Sequence, residues 1–282
     1  MMDSRYLLCS DLDRTLLPNG KEENDNVLPK FFEIIKKHNI CLAYVSGRSL
    51  KLLKSAISEY EIELPDFFIG DVGTTIYKKV DGELVFYDKW SEKIRTETPG
   101  WNFEELREIG KEVERLELQE AENLNEFKVS FYVSVPESID DLASLLENRI
   151  VRDRGITAKI ISSIDPIRGV GLIDIVPQGA TKQTAIEFVR QESGIDTSKV
   201  IFCGDSGNDL LAFLKGYKGI LVKNGSYKVR KEIKEKLPEE RIKETIYFAE
   251  GRDPLNGNYA SGILEGMLYW GVISEEEYRN SY

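Results

Sequence analysis

The sequence predicts an α/β protein: a parallel sheet flanked by helices, interrupted by a smaller α+β module. Three observations carry this reading. Short apolar runs alternate with helical stripes over the first 70 residues. The same rhythm returns after Thr181. Between them lies a stretch whose polar and apolar residues alternate as half-exposed strands require.

Residues 6–10 form an apolar run that stops at two aspartates, Asp11 and Asp13. Over 28–38, Phe31, Phe32, Ile34 and Ile35 gather mainly on one side of a helix. A second run, 41–45, ends at Ser46-Gly47-Arg48-Ser49. Leu50, Leu53, Ile57 and Tyr60 then fit a helical stripe with Ser49 as its N-cap. Residues 66–70 read as a third strand. This β-α-β-α-β order argues for a parallel sheet, in which ligands gather at the carboxyl ends of the strands. Asp81-Gly82 between the β-rich runs of 74–87 is a strong hairpin signal. After Trp90 the pattern changes. Phe103, Leu106, Ile109, Val113 and Leu116 form one helical stripe, 127–135 alternates like a strand, 139–150 reads as a helix, and 156–161 and 172–176 as strands. From Thr181 the order is helix, strand at 200–203, helix, strand at 220–222, helix, a last strand near 245–248, and a helix from Ser261.

The 282 residues suit about two domains. With 41% hydrophobic side chains they can bury a sizeable core. Lys and Arg number 38 against 49 Asp and Glu, a net charge of −11. Most of such a surface repels polyanions, so no nucleic-acid partner is expected, and an anionic substrate needs a local positive site. Cys9, Cys41 and Cys203 sit in apolar stretches with no CxxC pair, as buried reduced thiols of a cytoplasmic protein would. A single histidine, His38, argues against a Ser-His-Asp hydrolase and a multi-histidine zinc site. The N-terminal apolar run is too short and too near charges for a signal peptide. No stretch approaches the roughly 20 apolar residues of a membrane helix, so no membrane partner is expected.

Asp11-Leu12-Asp13-Arg14-Thr15 directly follows the first strand. If extension persists, Asp11 and Asp13 share a face and look into the crevice, where two close carboxylates call for a cation or a proton between them. Alone, the pair also reads as a solvated turn. Gly204-Asp205-Ser206-Gly207-Asn208-Asp209 follows another strand, and alone reads as a helix-capping turn. In a parallel sheet these strand ends meet on one edge. Asp11, Asp13 and Asp205 then surround one hard cation, and an all-oxygen site suits Mg²⁺. Ser46, with Gly47 and free N–H groups at a helix start, is a phosphate-binding arrangement, and Lys182 opens another helix; alone each would be a plain cap or a solvated lysine. The ordered set of all four, each where a strand meets a helix, is what points to chemistry.

That ordered set resembles the haloacid dehalogenase (HAD) superfamily of phosphatases. Asp-Leu-Asp-Arg-Thr-Leu-Leu (11–17), Val-Ser-Gly-Arg-Ser (45–49), Lys182 and Gly-Asp-Ser-Gly-Asn-Asp (204–209) match its four motifs, and the match spans nearly the whole chain. The resemblance implies a Rossmann-like core, 1–88 and 177–282, and an inserted C2B cap, 89–176, of the Cof-type subfamily IIB. Asp71-Val72-Gly73-Thr74, the 127–132 stretch, 174–182 and Ala260-Ser261-Gly262-Ile263 resemble the sucrose-phosphate phosphatase branch, although Arg14 stands where sucrose phosphatases carry Asn.

The resemblance further implies a Mg²⁺-dependent phosphatase acting on a phosphorylated sugar or glycoside through an aspartyl phosphate. Asp11 is then the nucleophile and Asp13 the acid and base. Asp11, the Asp13 main-chain carbonyl and Asp205 hold Mg²⁺, with Asp209 behind them. Ser46, Gly47, Lys182 and Asn208 bind the phosphoryl group. Arg48, Gly73, Thr74, Lys128, Ser130 and Asp174 are candidate substrate contacts, though Lys128, Ser130 and Asp174 read first as exposed strand residues, and Arg48 also as half of a structural ion pair. The expected partner is a small phosphorylated sugar, and the expected state a monomer or small homo-oligomer. A sugar phosphomutase or phosphotransferase of the same fold is the alternative. A non-catalytic phosphosugar-binding regulator ranks far lower, because none of the catalytic positions is missing.

Overall fold

The computed structural model describes residues 5–165 and 168–282. Residues 1–4, 166 and 167 lie outside the described residues.

β1 (Leu7–Ser10), α1 (Leu28–Lys37), β2 (Cys41–Val45), α2 (Leu50–Tyr60) and β3 (Phe67–Gly70) form in the expected order. Pro29 sits in the first turn of α1, where a missing N–H costs nothing. Ser49 occupies the N-cap position of α2, but its hydroxyl makes no cap hydrogen bond and is buried without a partner. β4 (Thr75–Val80) and β5 (Glu83–Phe86) pair antiparallel across Asp81-Gly82, both at positive φ as a tight primed turn requires.

α3 (Asp88–Glu97), α4 (Phe103–Lys111), β6 (Leu116–Leu118), β7 (Val129–Val133), α5 (Ile139–Glu147), β8 (Ala158–Asp165) and β9 (Val170–Pro177) follow. Then come α6 (Lys182–Glu192), β10 (Val200–Gly204), α7 (Leu210–Phe213), β11 (Lys218–Leu221), α8 (Tyr227–Lys236), α9 (Glu239–Thr245), β12 (Ile246–Phe248), α10 (Tyr259–Tyr269) and α11 (Glu275–Arg279).

The main sheet has the order β12-β11-β10-β1-β2-β3-β4-β5, parallel from β12 to β3 and antiparallel in its last two strands. Its strands β1, β2, β3 and β10 are buried on both faces, whereas most of β4 and β5 is exposed or half-buried. Leu8, Tyr44, Phe68 and Ile201 pack against α1 and α10 on one side, while Leu7, Ala43, Ile69 and Phe202 pack against α6 on the other. Chain order reverses between β1 and β10, so the crevice of this sheet opens at their carboxyl ends. The second sheet, β6-β7-β9-β8, is wholly antiparallel. Leu106, Ile109 and Leu146 from α4 and α5 cover one face by packing on Phe131, Ile173 and Ile175.

Two sequence expectations differ from the structure. The stripe running to Leu116 is not one helix: α4 stops at Lys111, Arg115 takes φ +72°, and Leu116 begins β6. Val113 and Leu116 still pack in the same core as α4. α3 was not anticipated. Trp90 and Ile94 are the apolar residues of its buried side, with Ser91 beside them, and Trp90 is held by its indole N–H, 3.0 Å from the Gly73 carbonyl oxygen.

Gly110 lies in the last turn of α4, and a Cβ there would sit 2.1 Å from Cζ of the fully buried Phe131. Gly110→Ala improves local helix propensity by up to about 1 kcal/mol, but it forces the Phe131 ring aside at about 1–3 kcal/mol. Net destabilisation is expected, read as a lower urea midpoint; a raised midpoint contradicts the packing argument.

Candidate active site

The ends of β1, β2, β3 and β10 converge on one edge of the main sheet. Asp11 extends β1 by one residue, its N–H donating to the Cys203 carbonyl at 3.0 Å. Its Oδ1 accepts from the Leu12 N–H at 2.7 Å, which turns the carboxylate inward. Lys182 is the first residue of α6, placed there by a Thr181–Thr184 capping box. Its ammonium is 2% exposed and uses all three donors: Asp11 Oδ2 at 2.7 Å, Asp209 Oδ1 at 2.7 Å and Asn208 Oδ1 at 3.1 Å. The other oxygen of Asp209 accepts from the N–H groups of Asp205 and Ser206. Asp205 Oδ1 accepts from the Thr15 hydroxyl at 3.3 Å, and Oδ2 faces Arg14 Nε at 3.7 Å.

Asp11, Asp205 and Asp209 are all buried and offer oxygens within 4.8 Å of one another. Burial, then repulsion from Asp209 and Asp205, pushes the Asp11 carboxyl well above its usual range, against the pull of Lys182. Burial, with Asp209 next, pushes Asp205 up to about 7. Burial works against the charge on Lys182, but Asp11 and Asp209 outweigh it and hold the ammonium above its ordinary value. Three buried carboxylates against one buried ammonium leave negative charge that a hard divalent cation relieves. The all-oxygen donor set fits Mg²⁺ rather than a soft metal.

Asp11 and Asp13 do not share the face that an extended chain would give them. The Asp13 carboxylate stands outside this cluster, because the chain turns at Leu12–Arg14 and Arg14 adopts φ +60°. Its oxygens are taken by Arg48 at 2.6 and 2.9 Å and by Asn19 Nδ2 at 2.6 Å. The Arg48 alternative read from the sequence, an ion pair, is therefore what the structure contains, and the Asp13 hydrogen bond raises the pKa of the guanidinium. Ser46 is fully buried and its Oγ accepts from the Arg48 N–H at 3.2 Å; Gly47 beside it is exposed.

Lys128, Ser130 and Asp174 are not exposed strand residues. Each is less than a tenth exposed. Ser130 and Asp174 face each other across β7 and β9, the hydroxyl donating to the carboxylate at 2.5 Å. Lys128 reaches Asp71 Oδ1 at 3.5 Å, and Asp71 Oδ2 accepts from Thr75 at 2.9 Å. Asp71 was missed as a site residue, although it follows β3 as Asp11 follows β1. Gly73 packs closely on the start of α6: a Cβ there would sit 2.2 Å from the Thr181 carbonyl carbon. Thr74 is buried and accepts from Asn125 Nδ2 at 3.0 Å. Also unanticipated is β8, whose Ile161 and Ser163 join Arg14, Lys182, Asp205 and Asn208 around a cavity of about 1130 Å³.

The profile of the family described as sucrose-6F-phosphate phosphohydrolase matches residues 4–271. A putative HAD-like hydrolase of Nitrosococcus oceani is 40% identical over 270 residues, covering 95% of this chain and 72% of its own. Sucrose-phosphatase 1 of Nicotiana tabacum is 33% identical over 233 residues, covering 78% of this chain and 51% of its own, so the chain spans about half the length of that plant protein. The structure of the sucrose-phosphatase from a Synechocystis species, in complex with sucrose and phosphate, superposes with a TM-score of 0.76 at 25% identity, over 95% of this chain and 98% of that one.

The charge excess in the cluster has a measurable consequence for the metal-free protein. The Asp205 carboxyl titrates near 7 when folded and near 3.8 when unfolded, so the folded state binds more protons between those values. Stability in EDTA is therefore expected to fall as pH rises from about 4 to about 7. Saturating Mg²⁺ should flatten that slope. Urea midpoints at several pH values, with and without Mg²⁺, check both; a slope unchanged by Mg²⁺ contradicts metal binding at these carboxylates.

Proposed function

The chain belongs to the sucrose-6F-phosphate phosphohydrolase family of HAD-like hydrolases, and on that premise we propose that it is a phosphatase releasing inorganic phosphate from a phosphorylated sugar or glycoside through an aspartyl phosphate on Asp11. The observation that carries the reading is the buried junction of Asp11, Lys182 and Asp209 at the carboxyl edge of a parallel sheet. A carboxylate meets a phosphoryl dianion only where positive charge offsets both. Lys182 supplies one such charge next to Asp11. Asp11, the main-chain carbonyl of Asp13 and Asp205 would hold Mg²⁺, with Asp209 behind them; when bound, the cation neutralises charge on the phosphoryl oxygens.

Asp11 attacks phosphorus and the bond to the leaving sugar oxygen breaks. Asp13 gives that oxygen a proton, then takes one from the water that hydrolyses the aspartyl phosphate. Arg48 occupies both Asp13 oxygens, so this pair opens before Asp13 can reach the leaving oxygen. Ser46, the Gly47 N–H and Asn208 hold phosphoryl oxygens. We assign 1–88 and 177–282 to the core and 89–176 to the cap. Lys128, Ser130 and Asp174 then stand over the leaving group with Thr74 and Arg48, and Gly73 sets the loop that meets them. The three buried thiols support a cytoplasmic setting.

Phosphate release is to be measured over sucrose 6-phosphate, mannosylfructose phosphate, glycosyl phosphoglycerates, trehalose phosphate and hexose phosphates. One of them should exceed a small aryl phosphate in kcat/KM without any activating bisphosphate; transfer to a second sugar in place of water would favour the mutase alternative. Asp11→Asn, which keeps the shape but not the nucleophile, should lose turnover by at least about a thousandfold in a folded protein. Retained turnover, with deamidation excluded, defeats the assignment.

Asp11, Ser46 and Lys182 touch only what all phosphomonoesters share, so sugar discrimination falls to the cap. Ser130→Ala and Asp174→Asn should lower kcat/KM for the best sugar phosphate relative to the aryl phosphate by about 1–3 kcal/mol. A ratio unchanged in both variants puts the sugar site elsewhere.

A further inference from the structure

The chemistry proposed above gives the Arg14 side chain no part, yet both its main chain and its guanidinium are held by named partners. Its N–H donates to Asn19 Oδ1 at 2.6 Å and its carbonyl accepts from Asn224 Nδ2 at 2.7 Å. Its guanidinium donates to Glu22 Oε1 at 2.8 Å and to the Asn224 carbonyl at 3.2 Å, and Nε faces Asp205 Oδ2 at 3.7 Å. Glu22 is itself fixed, its Oε2 accepting from the buried Tyr259 hydroxyl at 2.9 Å. Tyr259 stands at φ +51° at the start of α10, and its N–H donates to Asn224 Oδ1 at 2.9 Å. One asparagine amide thus ties together two non-glycine residues in the left-handed region, Arg14 and Tyr259. Such conformations persist only where the surroundings over-determine them. Gly20 closes the group: a Cβ there would lie 2.3 Å from the Tyr259 hydroxyl, 2.5 Å from Glu22 Oε2 and 2.7 Å from Arg14 Nη1.

We propose that Arg14 is a positioning residue for Asp205, and that Glu22 and Tyr259 act through it. Thr15 takes Oδ1 of Asp205 and Arg14 faces Oδ2, so two neighbours from the loop after β1 fix a carboxylate carried by the loop after β10. The two loops that supply the acidic cluster are thereby locked in one spacing, and α10 anchors the lock. Resting on the divalent-cation reading above, this makes affinity for the cation depend on residues that never touch it. Outer-shell partners of this kind change metal affinity by about 10–100-fold when removed.

Mg²⁺ binding to the EDTA-stripped, then dialysed, full chain is measured by calorimetry. Arg14→Gln should weaken binding by about tenfold or more, while Arg14→Lys, which keeps charge and reach, restores most of it. Glu22→Gln and Gly20→Ala should weaken binding in the same direction, and adding Glu22→Gln to Arg14→Gln should cost nothing further, because both act through one contact. The metal-free urea midpoints show whether each variant is folded. Binding as tight as wild type in Arg14→Gln, or losses that add in the double variant, overturns the inference. A wild-type chain with no saturable Mg²⁺ isotherm overturns the cation reading as well, which separates the two failures.

Discussion

The Lys182 ammonium is the contact on which the rest of the arrangement depends. It is buried, and it joins the loop after β1 to the loop after β10 through Asp11 and Asp209. Without it three carboxylates would share a low-dielectric pocket, where each disfavours the ionised form of the others. With it, Asp11 and Asp209 keep defined positions, and Asp205 is drawn in behind Asp209 through a main-chain hydrogen bond. A buried ion pair of this kind is weak evidence for stability. Its value here lies in geometry, because it brings residues 11, 182 and 209 to one point.

The same logic recurs around the crevice. Arg48 is paired with Asp13 and Lys128 with Asp71. An acidic chain was expected to need a local positive site for an anionic substrate. In the structure Arg48, Lys128 and Lys182 are each held by a carboxylate, while Lys21 and Lys159 also line the cavity. A phosphoryl dianion that draws on Arg48, Lys128 or Lys182 competes with the carboxylates that hold them. The Asp13–Arg48 pair is the more accessible of these, and the Asp11–Lys182–Asp209 junction the less.

The second sheet contributes by the same means. Its α4- and α5-covered face is an ordinary apolar core, but the polar residues of β7 and β9 are buried as well. Ser130 and Asp174 satisfy each other, and Lys128 is satisfied by Asp71 from the main sheet. Exposed ion pairs from Lys51 to Glu122 and from Lys228 to Asp140 span the two parts at other points, but exposed pairs contribute little. The Lys128–Asp71 pair, just before β7 and just after β3, joins them where solvent is excluded.

The sequence alone carried the order of strands and helices along the chain, the hairpin at Asp81-Gly82, the change of pattern after Trp90 and the motif residues that end β1 and β10. These features are written locally: apolar runs of strand length, helical stripes, a turn dipeptide, and motif residues at strand ends. Tertiary structure decided what local patterns leave open. Leu116 belongs to a strand because β7 was there to pair with it. Asp13 turned to Arg48 because the chain bends at a left-handed Arg14, a bend held by Asn19 and by Asn224, some 200 residues away. Lys128, Ser130 and Asp174 are buried because a second surface covers them, and alternation along a strand tells which residues share a face but not what that face meets. Burial of a polar group depends on partners distant in sequence, and those partners exist only once the chain has folded.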